Sequence, residues 1–197
     1  MFIKYADDTA ILWKINKKED CSYINQDVDT FVNWCESNYL SLNVSKTKDM
    51  IIDFGRPKKE FEEIIINGSK VEQVGNYKYL GTVIGERLEW TMNTSATCNK
   101  AWKRMYYLRK LKEFNINPAI MRLFYDSVVT SVLMFNAVAW FNNISLELKK
   151  KLEKVSKSAD RIIGTNAKNT LDDQCKRQVL NLSRRVISNP VHPLHNS

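Results

Sequence analysis

Apolar residues are arranged in two ways along the chain, with a change near residue 85. Before it they form short runs separated by turn residues. Apolar, β-prone stretches at 1–4 and 9–15 flank Asp7-Asp8, which predicts strand, tight turn, strand. Residues 16–21 read as a polar loop. From residue 23 to 40, Ile24, Val28, Phe31, Val32 and Cys35 fall at spacings of four, three, one and three, one face of a helix. A polar turn over 43–48 leads to a predicted strand over 50–54, stopped by Gly55-Arg56-Pro57. Residues 64–66 and 70–74 flank Asn67-Gly68. That pair tolerates positive φ at both turn positions, so a hairpin is predicted. Residues 77–84 read as one more strand.

After Gly85 the periodicity is helical. One helix is predicted over 93–114. Asn117-Pro118 has the form of an N-cap followed by proline at the first helical position. The helix it opens reads to residue 141. It is apolar on all sides at many turns (Ile120, Leu123, Phe124, Val128, Val129, Val132, Leu133, Phe135, Trp140), so it reads as buried. A third helix spans 146–163, with Gly164 as its stop. A shorter one spans 172–187, ended by Asn189-Pro190. Strands and a helix followed by helices alone make an α+β chain with mostly antiparallel strands. The expected divisions are 1–85, 86–115 and 116–197.

Composition adds charge and excludes some classes. The 197 residues carry a net charge of +8. Residues 1–60 hold 9 basic and 10 acidic side chains, against 21 and 12 in the rest. A neutral start and a basic body suit a metal-binding turn beside a polyanion-binding surface, and equally a merely soluble basic protein. Apolar stretches are interrupted before they reach spanning length, so no membrane partner is expected. Lys4, Asp7 and Asp8 break any signal-peptide core. Cys21, Cys35, Cys98 and Cys175 are far apart, which gives no zinc pattern. Four separate thiols without a secretory leader point to the cytoplasm or nucleus, not secretion.

Two adjacent carboxylates at a hairpin tip repel each other and attract a cation. Nucleotidyl transfer uses two Mg²⁺ ions about 3.5–4 Å apart, held by hard oxygen ligands. Small Ala6 beside the pair leaves room for a primer end. The alternative is that Asp7-Asp8 is an ordinary turn, since Asp favours turns. In their context, Tyr5-Ala6-Asp7-Asp8 resemble the metal-binding motif of reverse transcriptases. Further motifs follow in order: Phe31-Val32-Asn33-Trp34-Cys35, Leu40-Ser41-Leu42-Asn43, Lys46-Thr47-Lys48, and Tyr77-Lys78-Tyr79-Leu80-Gly81-Thr82-Val83-Ile84. Together they resemble the non-LTR (LINE-type) retrotransposon group through nearly the whole chain.

This resemblance implies a partial reverse-transcriptase palm over 1–85, antiparallel strands plus one helix. A basic thumb-like helix (86–115) and a helical C-terminal region with an irregular tail (116–197) would follow. Asp7 and Asp8 would be catalytic metal ligands. Lys46 would lie near the incoming triphosphate; its plainer reading is a solvent lysine in a polar turn. Leu80 and Gly81, in the hairpin that grips the primer, would let backbone approach it; ordinary strand packing with a glycine bulge is the alternative. The family's third aspartate lies on an earlier strand, which this chain is expected to lack. A weak and incomplete Mg²⁺ site follows, and no polymerisation by the chain alone. The first hairpin, lacking that strand, should present an open apolar edge.

Lys100, Lys103, Arg104, Arg109, Lys110 and Lys112 lie close together with no acid among them, interleaved with Trp102, Tyr106 and Tyr107. Basic residues on one side of a helix and aromatics on another suit an element that follows a nucleic-acid backbone. The alternative is a solvated basic face with Trp102, Tyr106 and Leu108 packed inward. Lys149-Lys150-Lys151 near a helix start oppose the macrodipole and want a reason. Residues 161–164, 175–188 and 189–196 resemble the tail after the polymerase in vertebrate elements of this group. The same stretch is similar to a small N-terminal module of an AlkB-homologue tRNA-modifying enzyme. Neither dioxygenase nor methyltransferase chemistry is visible. There is no His-x-Asp iron motif, and the two histidines, His192 and His195, stand in the tail.

The function expected is a remnant of a mobile-element RNA-directed DNA polymerase. Its partners would be an RNA/DNA primer-template and a missing N-terminal polymerase part. The alternatives are a non-catalytic nucleic-acid-binding module, or an open reading frame with no cellular role.

Overall fold

A computed structural model describes residues 1–15, 22–55, 61–165 and 169–195. The loop over 16–21 with Cys21, the Arg56-Pro57 stop and Asn196 lie outside the described residues. The chain forms two compact units, Met1–Tyr77 and Lys78–Ser197.

The first unit begins with β1 (Phe2–Tyr5) and β2 (Asp8–Ile11), an antiparallel pair in which Tyr5 faces Asp8. Met1 and Leu12 extend the ladder by exchanging both backbone hydrogen bonds. Helix α1 (Ser22–Ser37) follows. Past its end Tyr39 adopts φ 57°, and the Leu40 N–H returns to the Cys35 carbonyl at 2.8 Å. This is a left-handed helix stop made without glycine. Strand β3 is only Lys48–Asp49, and the predicted strand over 50–54 does not form. Near its end the Asp53 carboxylate accepts from the Gly55 N–H at 2.8 Å, a local turn that competes with ladder pairing. β4 (Ile65–Ile66) and β5 (Ser69–Lys70) are joined by Asn67 (φ 48°) and Gly68 (φ 72°), the primed turn that Asn-Gly predicts. β6 (Glu72–Gln73) pairs with β3 in parallel, where Lys48 donates to Glu72 at 2.5 Å. The core is small. Val28 and Val32 of α1 meet Ile66 and Val71, with Trp13, Ile24, Leu42, Val44 and Ile64 around them. The Trp13 indole N–H donates to Asp27 at 2.8 Å and pins the hairpin's exit to α1.

The predicted strand over 77–84 is two strands. β7 (Asn76–Tyr79) and β8 (Thr82–Gly85) form a hairpin about Leu80 and Gly81. Leu80 at φ 45° is uncommon for a branched residue, which is why the turn was hidden in an apolar run.

In the second unit, α2 (Thr91–Glu113) ends in a Schellman arrangement. Asn115 sits at φ 51°, and the Ile116 N–H reaches the Leu111 carbonyl at 3.1 Å. α3 (Pro118–Phe124) opens as its cap predicts, with the Asn117 side chain accepting from the Ala119 N–H at 2.8 Å. The single helix expected to residue 141 is broken. It becomes a π-helical segment (Tyr125–Thr130), a short α4 (Ser131–Leu133), a turn at Asn136 (φ 50°), α5 (Ala137–Trp140) and a 3₁₀ turn (Phe141–Asn143). The causes are local and tertiary. Ser127 and Ser131 hydroxyls back-bond to carbonyls of the preceding turn, Val128-Val129-Thr130 are β-branched, and Arg104 draws the Val128 carbonyl towards α2 at 2.5 Å.

α6 (Leu146–Ile163) and Gly164 at φ 82° match the expected helix and its stop. α7 (Leu171–Ser188) starts with a capping box between Thr170 and Asp173. Residues 189–195 form hydrogen-bonded turns, with His195 Nδ1 2.8 Å from the Val186 carbonyl. Ala101, Met105 and Leu108 of α2, Met121, Tyr125, Val129 and Leu133, Trp140 and Phe141, Leu152, Val155 and Ala159 of α6, and Cys175 of α7 close a continuous core. The 118–141 stretch is not buried all round: Ile120, Leu123 and Phe135 are exposed. No single helix among the described residues is long and apolar enough to cross a membrane, although one bent pair, Pro118–Leu133 with Ala137–Asn143, has the length and composition.

Candidate carboxylate turn and nucleic-acid interface

Strand pairing places Ala6 and Asp7 alone in a two-residue loop, with Tyr5 and Asp8 as the closing pair. Ala6 takes φ 54°, the conformation that the first position of a type II′ hairpin turn requires. Alanine carries the Cβ that disfavours this region, so its small size leaves room beside the acids without relieving the backbone. Tyr5, Asp7 and Asp8 are all exposed. Two hard carboxylates at an open tip fit Mg²⁺ in donor chemistry. In number they make an incomplete site: no group of three or more His, Cys, Asp or Glu side chains that could hold a metal ion occurs among the described residues, so waters or substrate oxygens would have to complete the shell. No catalytic step is derived through an ion on this pair alone.

Lys46 stands exposed in a turn organised by Asn43, whose carbonyl and side-chain oxygen accept from the Lys46 N–H at 3.1 Å and whose carbonyl accepts from Thr47 at 3.0 Å. Its neighbour Lys48 is committed to Glu72. Leu80 is 41% exposed at its turn. Gly81, at φ 88°, lies so near Phe135 that an added Cβ would meet ring carbon Cε1 at 3.3 Å. The same hairpin is held by Asn93 Oδ1, which accepts from the Val83 N–H at 3.1 Å, and by Asn136, which donates to Thr82 at 3.2 Å.

The basic residues of α2 divide into two sets. Lys100, Lys103 and Arg109 are exposed. Lys110 is half-buried, paired with Glu113 at 2.6 Å, and its ammonium is 5.7 Å from the Tyr106 ring centre. Arg104 is half-buried and donates to the Val128 carbonyl. Of the three residues that the solvated-face reading placed inward, Leu108 is buried and Trp102 half-covered, but Tyr106 faces out, as Tyr107 does. The buried positions are Cys98, Ala101, Met105 and Leu108, with Trp102 half-covered beside them. Those four repeat at three and four residues, so a wheel drawn from them places both tyrosines outside. That signal was present in the sequence.

Lys149 has a structural reason. It pairs with Asp172 at 3.1 Å and lies 4.9 Å from the Phe141 ring centre. Arg122, not singled out from the sequence, pairs with Asp160 at 2.5 Å and donates to Thr165 at 2.8 Å. Burial pushes the Cys98 and Cys175 thiols up, with nearby Lys151 and Lys149 respectively pulling back. Both are protonated packing groups rather than nucleophiles.

Comparison with known proteins agrees with the resemblance carried by the motifs. The chain is 22% identical to the "Probable RNA-directed DNA polymerase from transposon BS" of Drosophila melanogaster over 92% of its own length. It spans 22% of that protein. A family model described as "Alkylated DNA repair protein alkB homolog 8, N-terminal" matches residues 90–131. The likeness to that module is therefore found on α2, α3 and the π-helical segment rather than on the tail. No solved structure matches the chain. Distant homology to a transposon polymerase thus supports a mobile-element polymerase origin for this chain.

Proposed function

We propose that the chain is the palm-and-thumb part of a LINE-type reverse transcriptase and that it does not polymerise DNA by itself. The carrying observation is the Asp7-Asp8 pair, exposed at the tip of a two-residue hairpin turn, in a chain similar to a transposon polymerase over 92% of its length. In this reading residues 1–85 are a partial palm and α2 is the thumb-like helix. Asp7 and Asp8 hold Mg²⁺ weakly, because two carboxylates supply less charge and less geometric constraint than three. Lys46 serves the incoming triphosphate from its exposed turn. Tyr5 in the first unit, and separately Leu80 and Gly81 in the second, are each read as primer-contacting residues, and the basic face of α2 follows a nucleic-acid backbone. No third carboxylate joins the pair among the described residues, and removal of a central catalytic group commonly costs several orders of magnitude in rate, which supports this reading.

Primer extension with Mg²⁺ tests this. The chain alone should incorporate no nucleotide. The chain supplied with a preceding polymerase part should incorporate it, and Asp7→Asn should abolish that. Incorporation by the chain alone, lost in Asp7→Asn, would overturn the proposal. A second reading, a nucleic-acid-binding module without catalysis, is favoured by the six basic residues of α2 against one acid, Glu113. Tight primer-template binding that never yields turnover, even with the preceding part supplied, would select it.

A further inference from the structure

The outward face of α2 holds tyrosines where a helix that only neutralises phosphates has no use for them. Lys100, Lys103, Tyr107, Lys110 and Phe114 follow at spacings of three, four, three and four, so they form one stripe along the helix. It lies opposite the buried Cys98, Ala101, Met105 and Leu108. Tyr106 and Tyr107 are 54% and 59% exposed, and their rings meet edge to face at 5.5 Å between centres. Rings this close leave no gap for a base between them, so what stacks on them stacks on their outer faces. The Lys110 ammonium lies over the Tyr106 ring, 5.7 Å from its centre, and adds a cation to the platform.

Aromatic faces set between ammonium groups are the elements of a base-stacking platform. In a duplex the faces of the bases are already covered by their neighbours. Only edges and phosphates are offered, and the tyrosines would contribute little. In a single strand the faces are free. An acidic peptide would satisfy the lysines and leave both rings in water. Resting on the reading of α2 as a nucleic-acid surface, we propose that its ligand is a single strand of nucleic acid, RNA and DNA alike. Bases stack on Tyr106 and Tyr107, and phosphates meet the exposed Lys100 and Lys103. Arg104 takes no part, because its guanidinium is given to the Val128 carbonyl.

Fluorescence anisotropy with a short mixed-sequence oligonucleotide, single-stranded or annealed, tests this on the full chain. The single strand should bind about 10-fold or more tightly than the duplex, with RNA and DNA within a few-fold of each other. Tyr106→Ala with Tyr107→Ala should weaken single-strand binding about 10-fold or more, since each stacked base is worth roughly 5- to 150-fold. Duplex affinity and the salt slope should not change. Tyr106→Phe with Tyr107→Phe should restore binding, because the ring face is kept. Lys100→Gln with Lys103→Gln should weaken both forms and flatten the salt slope. All six side-chain changes are at solvent-facing positions, and circular dichroism checks that the variants stay folded. Equal binding of duplex and single strand, with the tyrosine variant neutral, overturns the stacking proposal and leaves α2 as a phosphate surface. No binding of either form overturns both readings. Tighter binding to vesicles of anionic phospholipid than to the oligonucleotide overturns the proposal in favour of a membrane face.

Discussion

The two units differ in how far they enclose themselves. In Lys78–Ser197 the core passes through every α-helix, and Ala101, Met105, Leu108, Met121, Val129, Leu133 and Leu152 have no exposed surface at all. Among the described residues of Met1–Tyr77 the central cluster is four side chains, Val28, Val32, Ile66 and Val71. Its strands occur as separate two-stranded pieces, and Phe2, Ile3, Tyr5, Leu12 and Trp34 stay exposed. Isolated hairpins are marginal in water, whereas stacked amphipathic helices bury one another's faces. The carboxylate turn therefore belongs to the unit with the smaller core, and the basic helix to the one with the larger core. The basic face of α2 therefore has a firmer support than the Asp7-Asp8 turn does.

That contrast can be broken most sharply by separating the units. Residues 78–197 alone should unfold cooperatively in urea, and residues 1–77 alone should show no cooperative transition by circular dichroism. A cooperative transition in 1–77 would end the comparison. Next in size, Leu152→Ala should cost about 2–5 kcal/mol by chemical denaturation, through lost burial and a residual cavity. Val32→Ala in the smaller core should cost about 1.5 kcal/mol, two methylene equivalents. Equal costs would mean the cores are equally well packed. Arg122→Ala leaves the half-buried Asp160 carboxylate without its ion pair and should cost about 1.5–3 kcal/mol, read the same way.

The smallest effect concerns the start of α7. Hydrogen bonds from Thr170 hold the Asp173 carboxyl below its ordinary value near 3.8. A carboxyl with a lowered folded pKa stabilises above its unfolded pKa, and that contribution is lost as pH falls through the folded value. Thermal stability should therefore drop as pH is lowered below about 4, and Asp173→Asn should flatten that part of the profile. Thr170→Ala should cost about 1 kcal/mol at neutral pH.

Features written in a few neighbouring residues were readable. Asn67-Gly68, Asn117-Pro118 and Gly164 each carry a backbone preference that the surroundings did not overrule. The α6 helix emerged with the expected limits because Leu148, Leu152, Val155, Ala159 and Ile163 serve one buried face. At the candidate site, the hairpin position of Asp7-Asp8 was legible for the same reason: apolar strands flank a short polar tip. Of the aromatics that the solvated-face reading turns inward, Trp102 packs against the core and Tyr106 does not, because its position on the wheel points outward. The role of Arg104 was not legible, because its acceptor is a backbone carbonyl 24 residues away in a segment whose π-helical form exposes it. The role of Lys149 was hidden likewise, behind Asp172 on another helix.

The sequence by itself determined the turns, the caps, the helical periods and the carboxylate pair with the motifs that trace its origin, because those depend on interactions within a few residues. Tertiary structure decided that β6 joins β3 in parallel and, by adding the Arg104 contact to the local back-bonds of Ser127 and Ser131, where 118–141 departs from one α-helix. It also decided which basic side chains of α2 are spent on the protein and which face solvent. Those outcomes depend on what a distant segment brings within hydrogen-bonding or packing distance, which no local pattern encodes.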